Sequence, residues 1–189
     1  MDWASTLIGA AIAFVSSIGI IVVERLFDRS GKLKIYAKVV YHRTIENRTW
    51  GFHNGSDGMF FGVPLWIELE NSSNTTRVIR DVNLVLYKGK TRVAEMIQIN
   101  RSGKNDNEYI YANDGSYSFM AEPKSIRQYT CYFSLKQENG KDLSFDKIVL
   151  RYFNERDNEK LLFLAAVDGD WKTKQFPRSG KWIHLKKKW

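Results

Sequence analysis

The N-terminal part of the chain is one uninterrupted apolar segment. Residues 3–23 carry no charge, and Asp2 and Glu24 bound them. As a helix that rises about 1.5 Å per residue, such a segment crosses the roughly 30 Å hydrocarbon layer of a bilayer. A cleaved signal peptide is the main alternative, but it would begin with basic residues and have a shorter apolar part. The pattern therefore predicts an uncleaved transmembrane helix over residues 1–24.

Beyond Ser30 and Gly31 the hydrophobic pattern changes from helical to alternating, with turn residues between short runs. No amphipathic helix long enough to connect parallel strands lies between the runs. The pattern favours an all-β fold, an immunoglobulin-like antiparallel β-sandwich preceded by one transmembrane α-helix, over an open α/β sheet. Two irregular segments, residues 47–58 and 101–114, are expected to be exposed loops or hairpin tips. The eight predicted strands cover residues 33–41, 63–70, 78–87, 92–99, 116–121, 126–135, 147–153 and 161–167.

Length and composition limit the number of domains. The chain has 189 residues, of which 43% are hydrophobic and 14% aromatic, so it can bury a core and is not a disordered chain. We expect one domain with an appendage. Its parts are a transmembrane helix (1–24), a basic juxtamembrane linker (25–32), a β-sandwich (33–170) and a basic, tryptophan-rich C-terminal tail (171–189).

Charges beside the apolar segment predict its orientation. Basic residues near a span tend to remain on the cytoplasmic side, and no Lys or Arg precedes this one. The juxtamembrane basic residues that follow it are Arg25, Arg29, Lys32 and Lys34. We therefore expect a single-pass protein with its N-terminus outside and its β-domain in the cytoplasm.

One side of the apolar helix carries small residues. At about 100° per residue, Ser5, Gly9, Ala13 and Ser16 form a narrow stripe. Helices associate in lipid where small residues let their backbones approach. The stripe is compatible with self-association, with lining of a narrow pore, or with a plain anchor, since small residues are common in membrane spans.

The excess positive charge lies at the C-terminal end. The formal net charge is +8, and residues 171–189 contain seven basic and no acidic residues. Two functional interpretations fit this segment: its cations and indoles contact the anionic leaflet, or they bind a polyanion such as single-stranded nucleic acid. A third interpretation is that these residues serve only packing or solubility. The candidate contact residues are Lys172, Lys174, Arg178, Lys181, Lys186, Lys187, Lys188, Trp182 and Trp189.

Sequence motifs for catalysis or metal binding are missing. His42, His53 and His184 are widely spaced, Cys131 is the one cysteine, and no nucleotide-binding loop or nucleophile-elbow motif occurs. We assign no catalytic, cofactor-binding or metal-binding residues and expect a protein that is not an enzyme.

The architecture resembles the membrane channel subunit of Hailong-type bacterial anti-phage systems. The resemblance rests on the single N-terminal span, the basic junction, the β-domain and the placement of charge. It implies a protein of the bacterial inner membrane, a tetramer whose electropositive cytosolic pore is held shut by short DNA from a partner nucleotidyltransferase. It assigns anion contact to the basic residues of 171–189 and gating to the stripe of Ser5, Gly9, Ala13 and Ser16.

The leading hypothesis is an oligomeric membrane effector or ion channel in anti-phage defence. An anionic nucleotide or single-stranded oligonucleotide, made by a partner enzyme, would bind its electropositive cytosolic region and bias the packing of the spans. Its other partners would be membrane lipid and further copies of itself. The alternative is a non-conducting, membrane-tethered adaptor whose β-sandwich docks a protein.

Overall fold

The computed structural model describes residues 3–29, 31–55, 58–101, 109–110, 118–137, 143–167 and 180–187. Within these residues the chain forms one α-helix, one short 3-10 turn at Arg43–Ile45, and eleven strands. The helix α1 covers Trp3–Arg29. The strands are β1 Leu33–Val39, β2 Gly51–Gly55, β3 Gly58–Asn71, β4 Arg77–Lys88, β5 Thr91–Arg101, β6 Tyr109–Ile110, β7 Ser118–Ala121, β8 Ser125–Lys136, β9 Lys147–Asn154, β10 Glu159–Ala166 and β11 Ile183–His184.

The eight predicted strands are present, and three further short strands join them. The strand β2 falls within residues 47–58, which were expected to be a loop or hairpin tip, and it pairs with the start of β3 from Gly51↔Gly62 to Gly55↔Gly58. The strand β6 pairs with the end of β5. Apart from Arg101 and β6, the loop expected at residues 101–114 lies outside the described residues. Strand β11 lies in the segment predicted to be a tail.

The strands pair antiparallel in the order β10-β9-β4-β5-β8-β3-β1-β11. Strand β5 belongs to both layers of the sandwich: it pairs with β4 as far as Met96 and with β8 from Ile97 onwards. Alternate residues of each layer meet in one core, which includes Leu65 on β3 and Leu84 on β4. The antiparallel, all-β prediction is therefore confirmed.

Residues 183–186 connect the other edges of the two layers. Ile183 and His184 pair with β1, and the Leu185 N–H donates to the Ile35 carbonyl at 2.9 Å. One residue later, the Lys186 carbonyl accepts a hydrogen bond from the Phe163 N–H of β10 at 3.0 Å. Leu185 is 3% exposed and lies in the core. The end of the chain thus closes the sandwich on the side opposite β5.

The strand directions give the domain two ends. The helix-proximal end contains the start of β1, the β3–β4 loop at residues 72–76 and the β7–β8 turn at residues 122–124. The distal end contains the β4–β5 turn at residues 89–90, the start of β3 and the end of β8.

A buried polar cluster holds the chain where it enters the domain. The Lys32 N–H donates to Ser72 Oγ at 2.9 Å, and the Ser72 N–H donates to the Lys32 carbonyl at 3.1 Å. Asn71, 1% exposed, donates through Nδ2 to the carbonyls of Ala121 and Glu122, both at 3.0 Å. These bonds fix the first residues of the sandwich to two of its loops.

Candidate functional site

The helix α1 is long and apolar enough over Leu7–Leu26 to cross a membrane, and none of that stretch is buried. A signal sequence near the N-terminus would have the same features. Its apolar side chains are exposed; Phe14, for example, is 67% exposed. Transfer of such a surface from water to hydrocarbon is favourable.

The four stripe residues all lie within α1. A Cβ on Gly9 would meet nothing within 4 Å, and Ala13 and Ser16 are exposed. The neighbouring Ser17 donates its hydroxyl to the Ala13 carbonyl at 2.8 Å. One side of the helix is therefore open to close approach by another helix.

The four juxtamembrane basic residues occupy different environments. Arg25 and Arg29 lie in the last turns of α1, and Lys32 is exposed. Lys34 Nζ contacts Glu70 Oε1 at 2.6 Å, and Tyr36 donates its hydroxyl to Glu70 Oε2 at 3.0 Å. Because these partners favour the carboxylate, they hold the pKa of Glu70 below its usual value. The Lys34 charge is thus already paired within the domain.

In the described part of the C-terminal segment, the apolar side chains face the core and the lysines face outwards. Leu185 is buried and Ile183 packs against the core, whereas Lys181, Lys186 and Lys187 are exposed and Trp182 is half-buried. Because β11 runs antiparallel to β1, the chain after Leu185 heads towards the helix-proximal end. The remaining candidates, Lys172, Lys174, Arg178, Lys188 and Trp189, lie outside the described residues.

The distal end carries a basic hairpin, which joins β4 to β5. Lys88, Lys90 and Arg92 are exposed around the β4–β5 turn. The nearby Asp146 accepts a hydrogen bond from the Gly89 N–H at 2.7 Å. Glu95 forms salt bridges with Arg92 and with Arg151, the latter at 2.6 Å. Glu95 is therefore paired with two arginines, and one oxygen of Asp146 is bonded to the Gly89 N–H.

A cleft of ≈ 420 Å³ adjoins this hairpin. Phe52, Phe61 and Leu143 belong to its apolar lining, while Lys136 contributes a cation and Glu95, which is paired with Arg92 and Arg151, contributes a carboxylate. Val93, which follows the hairpin, lines the cleft and is 41% exposed. We call this cleft, together with residues 88–92, the distal basic site. Its parts come from five separate segments, so no local motif reveals it.

Aromatic side chains cover the outer face of the β1–β3–β8 layer. Lys38 Nζ lies 5.4 Å from the Trp66 ring centroid, and the His42 and Tyr132 ring centroids are 5.0 Å apart. A slot of ≈ 210 Å³ separates Trp66 from His42 and Tyr132. The Tyr132 hydroxyl is 3.3 Å from His53 Nδ1, and burial lowers the pKa of His53. This face shows that the outward positions of the layer are not uniformly polar.

Titratable groups in the described part of the chain do not assemble a metal site. Among those residues, no group of three or more His, Cys, Asp or Glu side chains is placed to hold an ion. Cys131 is buried, which raises the pKa of its thiol to about 12. At neutral pH the thiol is therefore protonated and unreactive.

The closed, two-layer domain matches a known family. The family model for the YopI Ig-like domain matches residues 31–165. The chain belongs to the YopI Ig-like domain family. A search of curated proteins gives no match.

The YopI Ig-like match begins at Gly31, directly after α1, and ends within β10. It confirms the predicted β-domain but does not extend to α1 or β11. The resemblance to Hailong-type channel subunits is not tested by this match and remains a hypothesis, as do the oligomer and the ligand.

Proposed function

We propose that this protein is an oligomeric effector of the bacterial inner membrane. The observation that carries the proposal is the 20-residue apolar stretch Leu7–Leu26 of α1, which is not buried and is joined to a closed β-domain. Exposed apolar surface of this length requires a bilayer or other helices to cover it. The basic residues after the helix favour a cytoplasmic β-domain.

Conduction would require several copies, because a single helix cannot surround water. In the proposed assembly the side of α1 with Gly9, Ala13 and Ser16 faces neighbouring helices. These helices would pack in two arrangements, one that conducts ions and one that is closed. A tetramer is the arrangement that the Hailong-type resemblance implies.

The proposed ligand is an anionic nucleotide or single-stranded oligonucleotide. Its proposed binding region is the distal basic site, where Lys88, Lys90 and Lys136 supply cations next to an apolar cleft. The basic residues Lys172, Lys174 and Arg178, to which the sequence assigns anion contact, lie outside the described residues and stay a prediction. Phosphates would pair with the cations, and bases would contact apolar and aromatic groups.

Ligand binding alters the spans only if it prefers one of their packings. The junction at Gly31 and Lys32 provides a short mechanical connection between the domain and α1. Its hydrogen bonds to Ser72 fix Lys32 to the β3–β4 loop.

Single-channel recording of the full chain in planar bilayers tests the proposal. We expect conductance that changes when a single-stranded oligonucleotide is added on the side of the β-domain. Gly9→Leu places a bulky side chain on the stripe and is expected to abolish conductance and lower the mass of the detergent-solubilised oligomer. The matched control, Ile18→Leu, lies about 180° around the helix at 100° per residue and is expected to leave both unchanged.

Silence of the wild-type protein under every ligand condition would favour the alternative, a membrane-tethered adaptor. A further readout is nucleic acid that co-purifies with the protein and is released by high salt, since phosphate contacts weaken steeply with salt. Protein that is free of nucleic acid and does not bind oligonucleotides would contradict the proposed ligand.

A further inference from the structure

The helix-proximal end lies close to the end of α1 and carries exposed apolar side chains. Arg29 ends α1 and Gly31 is already held in the domain, so their Cα atoms lie within about 7 Å of each other. Whatever the tilt of α1, this end of the domain stays next to the point where the helix leaves the bilayer. The headgroup layer beyond the hydrocarbon is only about 5–8 Å deep, so this end meets it first.

The β7–β8 turn is part of that same end. The Lys124 N–H donates to the Ser73 carbonyl at 3.1 Å, and Lys124 Nζ donates to the Ser72 carbonyl at 2.8 Å. Ser72 in turn is bonded to Lys32. The turn is therefore fixed directly beside the chain that comes from α1.

Two large apolar side chains flank this turn and are exposed. Met120, the last but one residue of β7, is 58% exposed, and Ile126, the second residue of β8, is 67% exposed. Each points away from the core on the outer face of its own layer, Met120 in the layer of β4 and Ile126 in the layer of β3. The inward residues of the two strands are Phe119, Ala121 and Tyr129. Amphipathic surfaces that lie on membranes combine such apolar groups with adjacent cations.

Exposed cations lie at this end of the domain, both beside the turn and at the opposite edge of the sandwich. Lys32 and Lys124 are exposed at the turn, and Lys187 is exposed on the chain that β11 directs towards this end. The nearby Glu155 contacts Arg77 at 2.7 Å and Asp157 pairs with Arg80, so these two carboxylates are neutralised within the domain. Glu122 is the exposed carboxylate of the turn itself.

We infer that the helix-proximal end is a membrane-docking surface that rests on anionic lipid headgroups, with Met120 and Ile126 in the interface and Lys32, Lys124 and Lys187 at the lipid phosphates. The inference rests on the proposed insertion of α1. A bilayer is the partner that fits, because only residues 27–30 separate the apolar stretch that ends at Leu26 from the domain at Gly31, which leaves little space for a macromolecule between this end and the membrane. The inference assigns Lys187 of the C-terminal segment to lipid and leaves the distal basic site for a soluble anion.

The test uses a single labelled cysteine in the full chain. Cys131 is 1% exposed and the pKa of its thiol is raised to about 12, so it does not react with a thiol-reactive fluorophore. The fluorophore therefore labels only an introduced surface cysteine. Ile126→Cys is the test position, and Val93→Cys, an exposed apolar residue at the distal end, is the matched control. The protein is reconstituted into vesicles of phosphatidylcholine alone or with phosphatidylglycerol, each containing a spin-labelled quencher lipid.

We expect strong quenching of the label at position 126 in the vesicles with phosphatidylglycerol, weaker quenching in pure phosphatidylcholine, and none at position 93 in either. Removal of two cations by Lys32→Gln with Lys124→Gln is expected to weaken docking by about thirtyfold in the equilibrium constant. The distal pair, Lys88→Gln with Lys90→Gln, is expected to have no effect on this quenching.

Two results would overturn the inference, and they are distinguishable. If carbonate washing leaves the protein in the vesicles but the label at position 126 is no more quenched than that at position 93, the docking surface is wrong while the inserted helix stands. If carbonate releases the protein, α1 is not inserted, and both the proposed function and the docking surface fail.

Discussion

Gly31 is the residue whose side-chain size the junction constrains most. A Cβ at this position would lie 2.1 Å from both the Cα and the backbone nitrogen of Ser73. Backbone atoms cannot rotate away as the end of a flexible side chain can, and Ser73 is itself held by a 3.0 Å bond from its N–H to Asn71 Oδ1. The absence of a side chain at Gly31 is therefore a requirement of the junction.

We expect Gly31→Ala to destabilise the β-domain by about 1–3 kcal/mol, the usual cost of forcing extra volume into a packed site. The free energy of unfolding, measured by denaturant titration in detergent, provides the check. Gly51→Ala is the matched control, because its Cβ would meet Ile45 at an ordinary 3.6 Å. Equal stability of the two variants would show that the loop at Ser73 yields.

His53 predicts a pH dependence of stability. Burial, together with the nearby His42, lowers its pKa in the folded protein below the ordinary value of 6.5. The unfolded chain therefore takes up a proton first as the pH falls, and stability is lost as pH drops below about 6.5 until the folded pKa is reached.

Thermal melting of the wild type above and below that pH measures the loss. His53→Phe removes the titrating imidazole. The difference between the melting temperatures above and below that pH should therefore be smaller in the variant than in the wild type. If the variant retained the full pH dependence, another group would be responsible.

At the scale of elements, the C-terminal segment is a structural strand as well as a basic one. Leu185 lies in the core at 3% exposure, next to the backbone bonds that join β1 to β10. We expect Leu185→Ala to lower the free energy of unfolding by about 2–5 kcal/mol. Lys187→Ala, two residues later and exposed, should leave it nearly unchanged, and a small effect of Leu185→Ala would mean that β11 frays from the sandwich.

Strands with long alternating patterns could be predicted from the sequence. Short strands, whose conformation depends on pairing with a neighbouring strand, were harder to predict. Residues 33–41 and 63–70 alternate over several positions, so the core face of each was predictable. Strand β11 has only two paired residues, although the alternation of Ile183 and Leu185 with His184 and Lys186 is a detectable signal. Gly-rich β2 has no such pattern, and its strand conformation comes from pairing with β3.

The candidate site was less predictable than the fold for a physical reason. The basic tail is visible because its charges are consecutive in sequence, whereas Lys88, Lys90 and Lys136 come together only through the strand order. The crossing of β5 from one layer to the other brings Val93 next to β8, and no local pattern specifies that crossing.

At the scale of the whole molecule, the two ends of the domain are expected to carry separate functions. The helix-proximal end lies against the bilayer in the proposed arrangement, while the distal end faces the cytoplasm and holds the distal basic site. Cations at the two ends should therefore respond to different anions.

Oligonucleotide binding tests this separation. The affinity of single-stranded nucleic acid falls with salt, with a slope of about 0.7 per phosphate contact on a double logarithmic scale. We expect Lys88→Gln with Lys90→Gln to weaken binding and to reduce the slope by about 1.4, the value for two contacts. Lys32→Gln with Lys124→Gln should leave both quantities unchanged if, as we infer, these lysines contact lipid phosphates. Fluorescence anisotropy of a labelled oligonucleotide, titrated with the full chain in nanodiscs at several salt concentrations, measures both, and an equal loss from the two pairs would contradict the division between the ends.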